Sequence, residues 1–123
     1  MYPPMPQILK TEVVDAIKKG VGYELYKQLL LNYGKRGEKA FFYLRDRRVK
    51  KYKDFFVVVG REEYIVEEFF CTCLDFQVRL KGKRPCAHII AVELAKLCDF
   101  YDKIDAYYVD FMKRYTYKRR QVF

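Results

Sequence analysis

Two short pairs of metal-binding residue types constrain this chain more than any other feature of its sequence. Cys71 and Cys73 form the first pair, and Cys86 and His88 form the second, with residues 74–85 between them. A tetrahedral zinc site takes four nitrogen or sulfur ligands, and two close pairs joined by a loop supply them. The alternative is a set of ordinary buried cysteines with a core histidine, but His88 is the sole histidine and follows a cysteine by two residues. The pattern therefore predicts one zinc ion bound by these four side chains.

Local geometry predicts where each pair lies. Alternate residues of a strand point to one side, so Cys71 and Cys73 can share a face at a strand end. Residues two apart in a helix point in roughly opposite directions, so Cys86 must precede a helix whose first turn contains His88. Pro85 favours a helix start at this point. Because four protein ligands leave no open position, the zinc is predicted to be structural; iron accepts such ligands too, but Cys₃His tetrahedra favour zinc.

The N-terminus and the cysteine content lead to expectations about the compartment. Residues 1–10 lack the features of a signal peptide, and no apolar run approaches the ~18–20 residues of a membrane span. We therefore expect a cytoplasmic or nucleoid location without membrane association, where thiols stay reduced. Asn32 is the only asparagine, serine is absent and charged residues make up 33%, which is a weak thermophile-like bias. Because proteins of hyperthermophiles can contain intracellular disulfides, disulfide bonds are an alternative to metal binding for the cysteines. Cys98 is expected to pack in the core.

The net charge of +9 is unevenly distributed. Residues 34–54 carry nine basic and three acidic residues, a net charge of +6, and two further basic clusters follow. Such clusters concentrate positive potential that attracts polyanions, which predicts a DNA- or RNA-binding surface; a solvated face that keeps a tyrosine-rich chain soluble is the alternative. The predicted nucleic-acid contacts are Arg45, Arg47, Arg48, Lys50, Lys51, Lys53, Arg79, Lys81, Lys83, Arg84, Lys118, Arg119 and Arg120.

Hydrophobic periodicity predicts one compact α+β domain. Helices are expected over 11–19 and 23–33, with Gly34 and Gly37 ending the second, and strands over 40–44, 55–59 and 64–70. Residues 45–53 are compatible with a loop and with an exposed strand pair. A helix follows Pro85, and an amphipathic C-terminal helix is expected from Phe100 to Tyr115. The predicted parts are N-terminal helices with a basic β segment (1–53), a zinc-stapled hairpin and helix (54–98), and a helix with a basic tail (99–123).

The ligand pattern in its surroundings resembles the SWIM zinc-finger family over about residues 54–98. A strand precedes the first pair, Phe76 follows it closely, Pro85 precedes the second pair and an apolar helix follows His88. The resemblance implies a β-hairpin that leads into the first ligand pair, a helix that carries the second, and a zinc-binding role for all four ligands.

The same resemblance implies binding to DNA or protein. SWIM modules occur in chromatin ATPases, transposases, ubiquitin ligases and small stand-alone proteins. The stand-alone members include the SWIM subunits of Shu-type complexes, which assist recombinases of the RecA/RadA class. This chain is similar to them in being short, with little besides the finger.

Three functions are weighed. The first is nucleic-acid binding, with an accessory role in DNA recombination or repair as its narrower form. The second is an adapter for a RecA/RadA-class ATPase without direct nucleic-acid contact. The third is an enzyme, which is not expected because the chain has no phosphate-binding loop and its sole histidine is committed to zinc.

Overall fold

The protein is described by a computed structural model over residues 8–111 of the 123-residue chain. The helical elements bounded within this part of the chain are α1 (Thr11–Ile17), α2 (Tyr23–Tyr33), α3 (Lys35–Arg45), a π-helical turn (Asp75–Arg79) and α4 (Ala87–Cys98), and a further helical turn begins at Tyr108. The strands are β1 (Val49–Lys51), β2 (Phe56–Val59), β3 (Glu63–Glu67), β4 (Phe70–Cys71) and β5 (Asp102–Lys103). The predicted α+β class is confirmed.

The strands form one sheet in the order β4-β3-β2-β1-β5. All neighbours are antiparallel except β1 and β5, which are parallel. The β2–β3 hairpin places Val58 opposite Tyr64, and β4 returns with Cys71 opposite Val66. The hairpin therefore delivers the first zinc ligand to the outer edge of the sheet.

Helix α4 lies at the centre of the core. Residues 87–92 are all buried, as are Leu94 and Ala95, so this helix is enclosed on most sides. It packs against α3 and contacts strands of the sheet. Because its first turn carries His88, the burial of α4 also fixes one ligand of the metal site in place.

The predicted strand over 40–44 is wrong, because these residues belong to α3. The aromatic residues favour a strand, but the buried positions Gly37, Ala40, Phe41 and Leu44 recur at a helical spacing of three to four. Gly37 also does not end α2; Gly34 does so, with φ of 63°, and Gly37 lies within α3. The basic segment 45–53 is compatible by sequence with a loop and with an exposed strand pair. In the structure its residues 49–51 form a strand, β1.

The predicted C-terminal helix is wrong over residues 100–107. Helix α4 ends at Cys98, the following residue Asp99 turns the chain back with a φ of 52°, and β5 then pairs with β1. The backbone becomes helical only at 108–111. Residues 112–123, with Tyr115 and the predicted nucleic-acid contacts Lys118, Arg119 and Arg120, lie outside the described part of the chain.

The helical turn that starts at Tyr108 is anchored on the sheet by Asp54. The two carboxylate oxygens of Asp54 accept hydrogen bonds from the backbone N–H groups of Tyr108 (2.8 Å) and Val109 (3.1 Å). The Tyr108 hydroxyl donates to Glu63 at 2.6 Å. Asp54 thus acts as an N-terminal cap supplied from a distant part of the sequence.

Replacing Asp54 with alanine should lower the free energy of unfolding by about 1 kcal/mol, the usual loss for a removed cap. Burial raises the pKa of Asp54, but hydrogen bonds from the backbone of Tyr108 and Val109 outweigh it, so the pKa is lowered. The stabilisation is therefore complete above the unfolded pKa of about 3.9 and is lost as the pH falls through the lower folded value. Urea denaturation at pH 7 and near pH 3 measures the difference. Asp105→Ala is the matched control, because the Asp105 side chain is 94% exposed, and an equal effect of both variants would contradict the cap.

Candidate metal centre

The first ligand pair is positioned by the end of β4. Cys71 is the last residue of this strand and is fully buried. Thr72 then holds the chain against β3, since its N–H donates to the Ile65 carbonyl (3.1 Å) and its Oγ1 accepts from the Ile65 N–H (3.0 Å). Cys73 follows and is also buried. The predicted location of this pair at a strand end is confirmed.

The second ligand pair is positioned by the start of α4. Cys86 is the N-cap residue with extended backbone, and His88 is the second residue of the helix. The two side chains can converge because only one of them lies on the helix. The arrangement predicted from the spacing and from Pro85 is confirmed.

The four ligand atoms have the separations of a tetrahedral zinc site. They all lie within 4.8 Å of one another, and all four residues are buried. The Nδ1 atom of His88 is 3.6 Å from the Sγ atom of Cys71 and 3.8 Å from that of Cys86. Zinc–sulfur bonds of about 2.3 Å and zinc–nitrogen bonds of about 2.0–2.1 Å at a tetrahedral angle require sulfur and nitrogen to be about 3.6 Å apart. The donor set and its geometry therefore fit one structural zinc ion.

The close approach of the three cysteine sulfur atoms shifts the pKa values of Cys71 and Cys73 in opposite directions. Hydrogen bonds with Cys71 and Cys86 lower the pKa of Cys73, and those with Cys73 and Cys86 raise the pKa of Cys71. The Phe76 backbone N–H also donates to the Cys73 sulfur at 3.3 Å. Zinc ligation requires thiolates, so binding of the cation releases protons from the cluster.

Two tyrosines hold the ring of His88. Tyr64 of β3 stacks on it with ring centroids 4.1 Å apart, and Tyr43 of α3 lies 5.2 Å away. Such neighbours restrict the plane of the imidazole ring, whose Nδ1 atom faces the sulfur atoms of Cys71 and Cys86. Neither tyrosine was predicted to belong to the site, because their convergence depends on packing between elements far apart in the chain.

A bidentate ion pair ties α3 to the zinc finger. The guanidinium of Arg36 donates to both carboxylate oxygens of Asp75, at 2.8 and 2.9 Å. The hydrogen bond from Arg36 lowers the pKa of Asp75 against the effect of burial. Asp75 starts the π-helical turn two residues after Cys73, so this contact joins a helix outside the finger to the first ligand pair.

The predicted nucleic-acid contacts on 45–53 mostly face acidic partners. Arg45 pairs with Asp46 at 3.0 Å, and Lys53 pairs with Asp105 at 3.3 Å. Arg47 and Lys50 both bind Asp102, the former at 2.6 Å. Lys51 donates to the Tyr52 carbonyl, and Arg48 is exposed. This pairing reduces the positive potential that the sequence places on the segment.

The remaining predicted contacts lie around the metal centre. Arg79 ends the π-helical turn and is 3.7 Å from Asp75. Lys81, Lys83 and Arg84 are exposed on the loop that leads to Cys86. Lys81 and Gly82 both have positive φ values, which form the turn of this loop.

A groove beside the metal centre collects basic side chains that the sequence pattern did not group. We call it the basic groove; its volume is about 1040 Å³ and its cations are Lys35, Arg36, Lys39, Arg61 and Arg79. Phe42, Tyr43 and Tyr64 supply aromatic surface, and Glu62 and Asp75 are its two carboxylates. Of the predicted contacts, only Arg79 lines it. The sequence feature that could have indicated this surface is the spacing of Lys35 and Lys39. Residues four apart share one face only where the chain is helical, as it is over residues 35–45.

Comparison with known proteins agrees with this geometry. The family model described as "SWIM zinc finger" matches residues 55–97. An uncharacterized protein of Archaeoglobus fulgidus is 67% identical over 103 residues, which cover 84% of this chain and 91% of that relative. No solved structure matches the chain. Within residues 8–111, no helix has the length and apolar character needed to cross a bilayer.

The matched residues contain the whole site, from the hairpin that leads to Cys71 to the helix that carries His88. Both the fold of this segment and its Cys₃His donor set are what the resemblance implied. The chain therefore contains a SWIM zinc finger over residues 55–97, with one structural zinc ion bound by Cys71, Cys73, Cys86 and His88.

Proposed function

We propose that this protein binds nucleic acid through the basic groove. The observation that supports this function is the convergence of five cations from three separate elements on one concave surface beside the zinc ion. Asp75 is neutralised by Arg36, which leaves Glu62 as the second carboxylate of the lining. No ion pair within residues 8–111 involves Lys35, Lys39 or Arg61. These side chains can therefore contact phosphates without first breaking a contact.

The exposed loop cations extend this surface along the chain. Lys81, Lys83 and Arg84 follow Arg79, which lines the groove. The cations of 45–53 are a weaker source of affinity, because Asp46, Asp102 and Asp105 compensate half of their charge. A small nucleic-acid-binding finger of this kind suits an accessory factor in DNA recombination or repair, and the proposal involves no catalytic step.

Reversing Lys35 and Lys39 to glutamate should greatly weaken nucleic-acid binding. Lys35, Lys39, Arg61 and Arg79 neutralise about four phosphates, so the wild-type log Kd should change with log salt with a slope of magnitude about 3 to 4. The double variant removes two of these contacts and should roughly halve the slope. Fluorescence anisotropy with labelled oligonucleotides from about 50 to 200 mM salt measures both quantities.

The matched control is Lys18→Glu with Lys19→Glu, which makes the same change in net charge at two exposed residues outside the groove. A general dependence on net charge would lower affinity equally in both double variants. A site in the groove would leave the control close to wild type. Equal losses, or a wild-type protein that binds neither DNA nor RNA at low salt, would refute the proposed function.

Exposed apolar side chains on the finger favour a second function, an adapter for a RecA/RadA-class ATPase. Phe70 on β4 is 48% exposed, Leu74 just before the π-helical turn is 75% exposed, and Val78 within this turn is 63% exposed. Exposed apolar residues grouped on one part of a surface are typical of protein–protein interaction sites. Purification of the native complex with and without nuclease distinguishes the two functions. An ATPase that remains bound after nuclease treatment and is lost in Val78→Asp, a change outside the basic groove, supports the adapter.

A further inference from the structure

We infer that the ligand of the basic groove is single-stranded nucleic acid, and that one of its bases stacks on Phe42. This inference rests on the proposed function and names its ligand class. Proteins that bind single strands combine a cationic groove along the backbone with aromatic side chains that stack on bases. The basic groove contains both components within one concavity.

The shape of the surface favours a single strand over a duplex. A duplex is read by protein elements that enter its grooves, usually a helix or a two-stranded ribbon. Here the concave surface belongs to the protein, and its cations come from separate elements, with Lys35 and Lys39 on α3 and Arg61 on the β2–β3 turn. A flexible strand can follow a concave surface and contact the cations of both elements, whereas a duplex is too stiff to bend into it.

The arrangement of α3 places cations and an aromatic ring in one row. Lys35, Lys39 and Phe42 are spaced by four and three residues, so they share one face of the helix. Seven residues of helix span about 10 Å, so this row is long enough to contact neighbouring nucleotides of one strand. A strand that lies along α3 can therefore place phosphates near the two lysines and a base against the phenylalanine.

Phe42 is the most exposed of the three aromatic residues that line the groove, and its ring also contacts those of Tyr26 and Phe41. Its side chain is 38% exposed, whereas the rings of Tyr43 and Tyr64 are held on His88. The guanidinium of Arg45 lies 4.7 Å from the centroid of the Phe42 ring. Because arginine planes also stack on bases, Arg45 can continue a stack that Phe42 begins.

The absence of tryptophan from the chain allows a direct test. Phe42→Trp introduces a single tryptophan in the groove, whose fluorescence can be excited apart from that of the twelve tyrosines. Titration with oligothymidylate or oligouridylate of roughly 12 nucleotides, within the usual site size, should quench this fluorescence because the base stacks on the indole. Phe70→Trp is the matched control: Phe70 is 48% exposed but does not line the groove, so its reporter should not respond.

Affinity measurements on phenylalanine variants complete the test. Phe42→Ala should weaken single-strand binding about 5- to 150-fold, the effect of losing one stacked base, whereas Phe42→Tyr should keep near wild-type affinity. Zinc content and melting temperature must match wild type; if Phe42→Ala fails to fold, Phe42→Trp and Phe42→Tyr decide the question.

The outcomes separate the inference from the function on which it rests. Wild-type protein that binds neither single strands nor a duplex of the same length refutes both. Binding to the duplex with equal or higher affinity, together with no quenching in Phe42→Trp, refutes the single-strand inference and leaves the proposed function intact. Single-strand preference with quenching at Phe42 and none at Phe70 supports both.

Discussion

Cys86→Ser and His88→Ala should each abolish stoichiometric zinc binding and unfold the region 71–98. Structural zinc contributes about 10–16 kcal/mol of apparent binding free energy in isolated fingers, comparable to the whole stability of a small domain. Each variant also leaves two or three buried sulfur atoms close together without the cation that neutralises them. The loss should spread to α4, because the helix starts at this site and forms the centre of the core.

Elemental analysis of unstripped protein and hydrogen exchange over residues 71–98 measure the two effects. Cys98→Ser is the matched control, since Cys98 is the fourth cysteine but is not a ligand and donates from Sγ to the Leu94 carbonyl, a bond that serine can keep. The control should retain one zinc per chain and wild-type protection. Full zinc content and an unchanged melting curve in Cys86→Ser or His88→Ala would contradict the structural role of the metal.

Gly37→Ala should be the most damaging small substitution outside the metal centre. A β-carbon at Gly37 would lie 2.1 Å from the carbonyl oxygen of Leu29 and 2.6 Å from its carbonyl carbon. These are backbone atoms of α2, so no side chain can rotate to relieve the contact, and the two helices must move apart. Overpacking of this kind costs at least about 1–3 kcal/mol, and a backbone clash belongs at the upper end.

Equilibrium denaturation followed by circular dichroism measures the loss. Gly22→Ala is the matched control, because no atom lies within 4 Å of a β-carbon there and the backbone φ of −152° suits any residue. As Gly22 caps α2, the control should lose no more than about 1 kcal/mol. A Gly37→Ala protein as stable as the control would show that α2 and α3 do not pack as closely as described.

The metal centre was predictable because its determinants are local. The spacing of Cys71 and Cys73, and of Cys86 and His88, together with Pro85, predicts a strand end and a helix start, and both are found. The same holds for the β2–β3 hairpin, where alternating apolar residues and a turn occur within a few positions. Such features depend on covalent geometry over a few residues, so no distant part of the chain needs to be known.

The formation of helix α3 and of strand β5 depends on contacts with residues far away in the sequence. Residues 40–44 have the composition of a strand, and only the fit of Gly37 against Leu29 of α2 and the contact with α4 stabilise them as a helix. Residues 102–103 likewise pair with β1 rather than continue a helical pattern. The basic groove depends on the formation of α3 as a helix, because Lys35 and Lys39 line the same groove as Arg61 and Arg79 only when this helix packs beside the finger. Spacing along the chain thus determined the zinc ligands, whereas the burial of apolar surface between distant elements decided which charges share one surface.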